Sequence, residues 1–196
     1  MKKIILFSFA TMALAIAFSS CKRKSTSTVT NNTEKGTTLV PIEYTKIKTL
    51  TDSIPSFPIS LPVPLTDTFA TKVDEMLATY APGVTKTDII YIQPRTMRVT
   101  IDNTTAQTLD FVDDSVKVYV GAYGGTDSVL VATKYGILPG AKVIDFNVDQ
   151  TKDVKDLFYN PYMKFTLKFN TKPNQGMLAN TTFVTAIKFE IKAYTP

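Results

Sequence analysis

The sequence predicts an all-β fold, an antiparallel β-sandwich of immunoglobulin-like proportions carrying one or two short helices, and three observations predict it. In YMKFTLKFN, Met163, Phe165, Leu167 and Phe169 alternate with Lys164, Thr166 and Lys168. In TTFVTAIKFEIKAY, Phe183, Thr185, Ile187, Phe189, Ile191 and Ala193 alternate with Ala186, Lys188, Glu190 and Lys192. Successive strand side chains point to opposite faces, so each run describes a strand with one dry and one wet face. The third observation is punctuation: Asp102-Asn103-Thr104-Thr105, Gly124-Gly125-Thr126-Asp127, Leu138-Pro139-Gly140 and Lys172-Pro173-Asn174-Gln175-Gly176 separate short runs. Many short strands divided by such turn residues argue for a sandwich or barrel rather than βαβ units.

Less regular strand runs are VPIEYTKIKTL, IIYIQPRTMRVTI, TLDFV, SVKVYVGAY, SVLVAT and AKVIDFNV. Two segments read as helical. TDTFATKVDEMLATYAPG places Phe69, Val73, Met76, Leu77 and Tyr80 at helical spacing, with Thr66 or Asp67 as cap and Pro82-Gly83 as stop. DQTKDVKDLFYNP has room for two turns before Asn160-Pro161. Both helices are expected to plug an open end of the sandwich. In SFPISLPVPLT, the prolines Pro58, Pro62 and Pro64 share one parity and the apolar Phe57, Ile59, Leu61, Val63 and Leu65 share the other. In a strand, backbone groups of one parity serve one edge, so all three missing N–H donors fall on the same side. The stretch reads as an edge strand, able to pair on one side and blocked on the other. A polyproline ligand is the competing reading, but it does not need strict parity.

The N-terminus begins with Lys2 and Lys3, followed by an apolar run from Ile4 to Phe18. Fifteen helical residues rise about 22 Å, short of the roughly 30 Å hydrocarbon core, so residues 1–20 read as a signal peptide rather than a membrane span. The chain's single cysteine, Cys21, follows Ser19 and Ser20. A lone cysteine in an exported chain has no internal disulfide partner. Phe18-Ser19-Ser20-Cys21 resembles the bacterial lipobox, with Phe18 where leucine is commonest; the resemblance implies that Cys21 is lipidated and becomes the new N-terminus. Ordinary cleavage after Ala15-Ile16-Ala17, leaving a free thiol, is the alternative. Residues 21–38 are rich in Ser, Thr and Asn with Val29 as the one aliphatic residue before the threonines, and read as a flexible tether. The residues after Cys21 reach on the order of 20 to 25 Å as a coil. Residues 39–196, about 158 of them, make a single β-sandwich domain.

Net charge is +5, but its location matters more than its sum. Lys2, Lys3, Lys22, Arg23 and Lys24 all precede Ser25; removing these five from the 22 basic residues leaves 17 against 17 acidic ones. The body therefore lacks the excess positive charge of a nucleic-acid binder. Lys22, Arg23 and Lys24 either add attraction to anionic headgroups or simply solvate the tether.

Histidine is absent, and the body has no cysteine. That excludes Ser-His and Cys-His nucleophile systems and the usual zinc ligand sets there. Carboxylates remain: Glu43, Glu75, Glu190 and thirteen aspartates beyond the tether, a supply large enough for a glycosidase pair but with no motif that marks one. In DFNVDQTKDVKD, Asp145, Asn147, Asp149, Thr151, Asp153 and Asp156 have the spacing of an EF-hand loop, but Gln150 stands where the turn needs glycine. Strand alternation explains the same spacing, with Ile144, Phe146 and Val148 inward. Tyr119, Tyr123 and Tyr135 lie near Gly124-Gly125 and could stack sugars; strand-end tyrosines also serve as core caps. No catalytic residue, cofactor or metal ligand is assigned.

In layout, with a signal ending in SSC, a Thr-rich tether and one Thr-rich β-domain, the chain resembles small envelope lipoproteins of Bacteroidetes. An acidic run after the cysteine marks surface export in that group; Lys22, Arg23 and Lys24 stand there instead, so the resemblance implies the periplasmic face of the outer membrane. The expected function is a non-catalytic interaction or structural module, held to the membrane by its N-terminal lipid and binding another envelope protein. The alternative is a binder of a small ligand, glycan or lipid; a carboxylate-based hydrolase is the third reading. Mass spectrometry of the mature N-terminus should find a lipid-modified Cys21, and an unmodified thiol there would exclude the anchor.

Overall fold

A computed structural model describes residues 35–102 and 106–196. The expected signal peptide, Cys21 and the tether up to Glu34 lie outside the described residues. Nine strands are described: β1 (Thr37–Leu50), β2 (Pro62–Ala70), β3 (Ile89–Ile101), β4 (Val112–Ala122), β5 (Ser128–Tyr135), β6 (Val143–Asp145), β7 (Asn147–Val148), β8 (Tyr162–Thr171) and β9 (Thr181–Tyr194). Helices α1 (Val73–Tyr80) and α2 (Lys155–Phe158) complete the regular structure, with 3₁₀ turns at Lys86–Asp88 and Leu109–Phe111. The first strand begins at Thr37, two residues before the expected start of the domain.

The strands form two antiparallel sheets packed as a sandwich, in the orders β1-β9-β3-β6 and β2-β8-β4-β5-β7. Leaving aside the short β7, the pairs β1·β9, β2·β8, β3·β6 and β4·β5, joined through β9·β3 and β8·β4, are those of a jelly roll. The chain crosses between sheets repeatedly, so each sheet buries one face against the other. On β9 Phe183, Ile187, Phe189, Ile191 and Ala193 are buried; on β8 so are Met163, Phe165, Leu167 and Phe169, as the alternation requires. Val116, Val118 and Val120 of β4 and Ile92, Met97 and Val99 of β3 continue the core.

Several sequence expectations are corrected. The helix expected from Thr66 begins at Val73, because Thr66 to Ala70 pair with β8, with Thr66 opposite Thr166 and Phe69 opposite Met163. Tertiary pairing thus overrides helical spacing, and Lys72, in the left-handed region at φ 49°, precedes the helix without a side-chain cap. Val73 and Leu77 are buried, while Tyr80 is exposed. The stop is where it was expected, with Gly83 at φ 89°. Helix α2 has one turn rather than two. TLDFV begins as a 3₁₀ turn that buries Leu109 and Phe111. AKVIDFNV is not one strand: β6 pairs with β3 and β7 with β5, so the chain changes sheets at the buried Phe146, whose N–H donates to the Met97 carbonyl.

SFPISLPVPLT is an edge strand only in its second half. β2 lies at the edge of its sheet, beside β8 alone. Leu61 donates its N–H to Thr171 Oγ1 (3.1 Å) and its carbonyl accepts the Thr171 N–H (2.9 Å), which turns odd-numbered backbone groups toward β8 and even-numbered ones outward. Pro62 and Pro64 therefore withhold donors from the free edge. Its outward carbonyls are also occupied: Lys48 Nζ donates to Thr66 O (2.5 Å) and Lys46 Nζ to Thr68 O (3.2 Å). Both lysines come from the inward parity of β1 and bridge the mouth of the sandwich, where Lys46 also pairs with Asp67 (3.4 Å). Phe57 and Ile59 are exposed rather than inward: β8 ends at Thr171, and the Phe57 carbonyl instead accepts the Asn174 N–H of the turn that follows (2.5 Å). Replacing Pro62 and Pro64 by threonine together with Lys46→Ala and Lys48→Ala restores two donors and frees two acceptors. Light scattering should then show a concentration-dependent shift to larger species relative to the unchanged protein, with smaller shifts for either pair alone.

Candidate functional site

A groove of about 710 Å³ lies on the outer face of the five-stranded sheet. Its origin is a register irregularity. Val112 pairs with Thr171 and Val116 with Phe169, so β4 spends two more residues than β8 between these points. Asp113, Asp114 and Ser115 bulge away from β8 and leave a depression. Pro62 and Pro64 of β2 form one wall, Lys168 and Asn170 of β8 and Lys117 and Tyr119 of β4 line the floor, and the two aspartates stand at one end. Asp113 accepts a long hydrogen bond from Ser60 Oγ (3.4 Å).

Lys117 and Lys168 are directly opposite each other across the β4·β8 ladder, on the wet face. Lys168 Nζ sits 4.7 Å from the centre of the Tyr119 ring, a cation–π contact. Among the described residues neither lysine has an ion-pair partner. Like charges directly opposite on one sheet face repel. The sequence shows lysines at wet positions of both runs, but only the register, which depends on the bulge, brings these two together.

The tyrosines singled out from sequence are separated rather than gathered. Tyr119 belongs to the groove. Tyr123 lies four residues further on, roughly 13 Å along an extended chain, and its exposed ring is 5.9 Å from that of Tyr162 at the start of β8. Tyr135 is exposed at the end of β5, opposite Ser115, a similar distance the other way. The Tyr123–Tyr162 pair could not be anticipated, because it requires the pairing of Ala122 with Met163. Lys164 Nζ donates to Gly125 O (2.7 Å) and holds the neighbouring turn.

The acidic residues of 145–156 do not converge. Arg98 donates to both Asp145 oxygens (2.6 and 3.1 Å). Asp149 Oδ1 accepts from the Thr151 hydroxyl (2.6 Å) and N–H (3.0 Å), and Asp153 Oδ1 from the Ile92 and Lys155 N–H groups (3.0 Å each). Ile144 and Phe146 are buried, with Asp145, Asn147 and Asp149 exposed, so strand alternation accounts for the spacing. Glu190 is bound by Arg95 and Glu43 by Lys188 (2.5 Å). No group of three or more metal-ligating side chains occurs among the described residues.

The strand order alone defines a jelly-roll β-sandwich. No protein family and no curated protein matches the chain. Similar solved structures include Desmodium yellow mottle tymovirus, at 13% identity over 100% of this chain and 96% of that one, with a TM-score of 0.28. Another, described as the structural basis for the promiscuous specificity of carbohydrate-binding modules from the β-sandwich superfamily, has 8% identity over 83% of this chain and 57% of that one, with a TM-score of 0.32. Turnip yellow mosaic virus has 12% identity over 83% and 94%, with a TM-score of 0.27. At these TM-scores the likeness carries no argument about this chain.

Hydrogen bonds from Arg98 hold the Asp145 carboxyl below its usual range, and those from the Thr151 side chain and backbone do the same for Asp149. A depressed carboxylate stabilises the fold above its unfolded value, and that contribution is lost as pH falls through the lower, folded one. The melting midpoint should accordingly drop as pH is taken below about 4. Scanning fluorimetry across a pH series should show a shallower acid drop for Asp145→Asn.

Proposed function

We propose that the chain is a lipid-anchored, non-catalytic binding module of the bacterial envelope that works from its surface. The observation carrying this reading is a contrast of volumes. The slot between the sheets near Lys46, Lys48 and Asp67 holds about 20 Å³, room for a single water at most, whereas the outer groove of about 710 Å³ is of ligand-site size. Cys21 carries the lipid, the residues between it and β1 tether the domain to the periplasmic face of the outer membrane, and the sandwich meets another envelope protein. Its body, formally neutral beyond Ser25, has no charge reason to bind nucleic acid. The two groove carboxylates are neighbours on one bulged strand rather than a pair facing each other across a cleft, which supports binding rather than glycoside hydrolysis. Cross-linked cells expressing the lipidated full chain should yield one near-stoichiometric envelope protein on pulldown. Turnover of a glycan or ester by the purified chain, lost in Asp113→Asn, would overturn the non-catalytic reading.

A second reading, a small-ligand site for a glycan, is favoured by the groove itself: an aromatic side chain at its floor, two ammonium groups, two carboxylates and Asn170 within one concavity. Such a convergence of polar groups around a ring suits a polyhydroxylated ligand better than a flat protein face.

A further inference from the structure

We propose that this groove takes a singly charged acidic sugar, a uronosyl residue within an otherwise neutral glycan, with its carboxylate between Lys117 and Lys168; this rests on the small-ligand reading. The first ground is the lysine pair. Two ammonium groups opposed across a ladder, without an ion-pair partner among the described residues, are a cost in the empty protein that an anion removes. Lys168 is already positioned, because the Tyr119 ring holds its ammonium at 4.7 Å. Binding therefore orders one long side chain, that of Lys117, rather than two.

The second ground is the far end of the groove, where Asp113 and Asp114 stand three to four residues from Lys117 along β4. Two carboxylates there repel a second negative charge within a Debye length of about 8 Å, so a polyanion is disfavoured. They accept hydrogen bonds from hydroxyl groups instead, as Asp113 does from Ser60. The Tyr119 hydroxyl, with no hydrogen-bond partner among the described residues, adds a donor and acceptor. A ligand negative at one end and hydroxyl-rich at the other matches this order; a phosphate ion lacks the second feature and a neutral glycan the first.

The third ground is the wall. Pro62 and Pro64 present no N–H to the free edge of β2, and the Thr66 and Thr68 carbonyls on that edge are taken by Lys48 and Lys46, so an extended peptide finds no ladder to join beside the groove.

The test is calorimetry on the full chain in detergent with a xylo-oligosaccharide bearing one glucuronosyl group, the same oligosaccharide without it, an oligogalacturonate and inorganic phosphate. The singly charged ligand should bind, and Lys117→Gln or Lys168→Gln should weaken it about tenfold, the loss expected for one charge-assisted hydrogen bond. Asp113→Asn with Asp114→Asn should favour the oligogalacturonate. Lys117→Gln should leave the melting midpoint unchanged or raised, because it relieves repulsion; a lowered midpoint would show the lysine to be structural and overturn the proposal. Equal binding of the neutral oligosaccharide would overturn the acidic specificity and leave the glycan reading standing. Phosphate binding as tight as the uronosyl ligand would reduce the site to a bare anion site. Silence toward all four probes would overturn both.

Discussion

The two sheets are held in register at one end by a cluster of rings around Tyr44. Its ring lies 5.5 Å from Phe69 on β2, 6.2 Å from Phe189 on β9 and 6.3 Å from Phe158 of α2. Phe69 meets Phe165 of β8 edge-on at 5.7 Å, and Phe158 meets Phe189 at 5.0 Å. Rings from both sheets and from α2 therefore meet in one cluster; all of these pairs but the tilted Tyr44–Phe158 are edge-to-face, an arrangement that adds about 0.5–1.5 kcal/mol per pair beyond burial. The Tyr44 hydroxyl donates to the backbone carbonyl of Thr71, and burial pushes its pKa up, so it remains a donor. Thr71 in turn donates its N–H to Pro161 O (3.0 Å) and its hydroxyl to Asn160 O (2.7 Å). One buried polar chain thus joins the exit of β2 to the entrance of β8, the two strands that later form the wall and floor of the groove.

What was legible in the sequence follows from how local each signal is. The runs IIYIQPRTMRVTI and TTFVTAIKFEIKAY match β3 and β9 residue for residue. In β9 the signal is period-two alternation, which needs no knowledge of the partner; in β3, whose alternation breaks at two bulges, it is the density of β-branched and aromatic residues. TDTFATKVDEML carried two conflicting signals. Phe69 fits both a helical stripe and a strand parity, and only the presence of β8 decides for the strand. KVIDFNV alternates correctly throughout, yet its two halves belong to different sheets, a fact held in hydrogen bonds from Phe146 to β3 and from Asp149 to Val131 of β5. The candidate site was the least legible part. Its tyrosine and lysines were visible, but their meeting depends on two extra residues in β4 that leave no compositional trace.

Proline placement shows the same economy elsewhere. The Thr195 N–H donates to Gly36 O (2.9 Å), which turns even-numbered backbone groups of β1 toward β9 and leaves Pro41 facing the free edge. Pro94 sits at a bulge in β3, beyond the three residues that β6 covers. Each strand proline thus occupies a position where a ladder donor is not required. The inward lysines of β1 act together with them. Lys46 and Lys48 interrupt the apolar parity of Val40, Ile42 and Tyr44 where the sandwich opens, and their ammonium groups cover carbonyls of β2 that would otherwise template another strand.

Edge protection and groove formation prove to be the same feature seen from two sides. A strand added to β2 would extend the sheet past Pro62 and Pro64, and the groove would lose its open wall. Because those prolines withhold their donors, β2 remains the boundary, and the bulge in β4 has a fixed rim to open against. The lysine pair then persists on the floor although it is locally unfavourable, since each lysine is fixed by strand alternation and a slip of one residue would bury an ammonium in the core. The Tyr119 ring offsets part of that cost by holding the Lys168 ammonium at 4.7 Å, and what remains is compatible with a stable fold because it is small beside the packing of the two sheets.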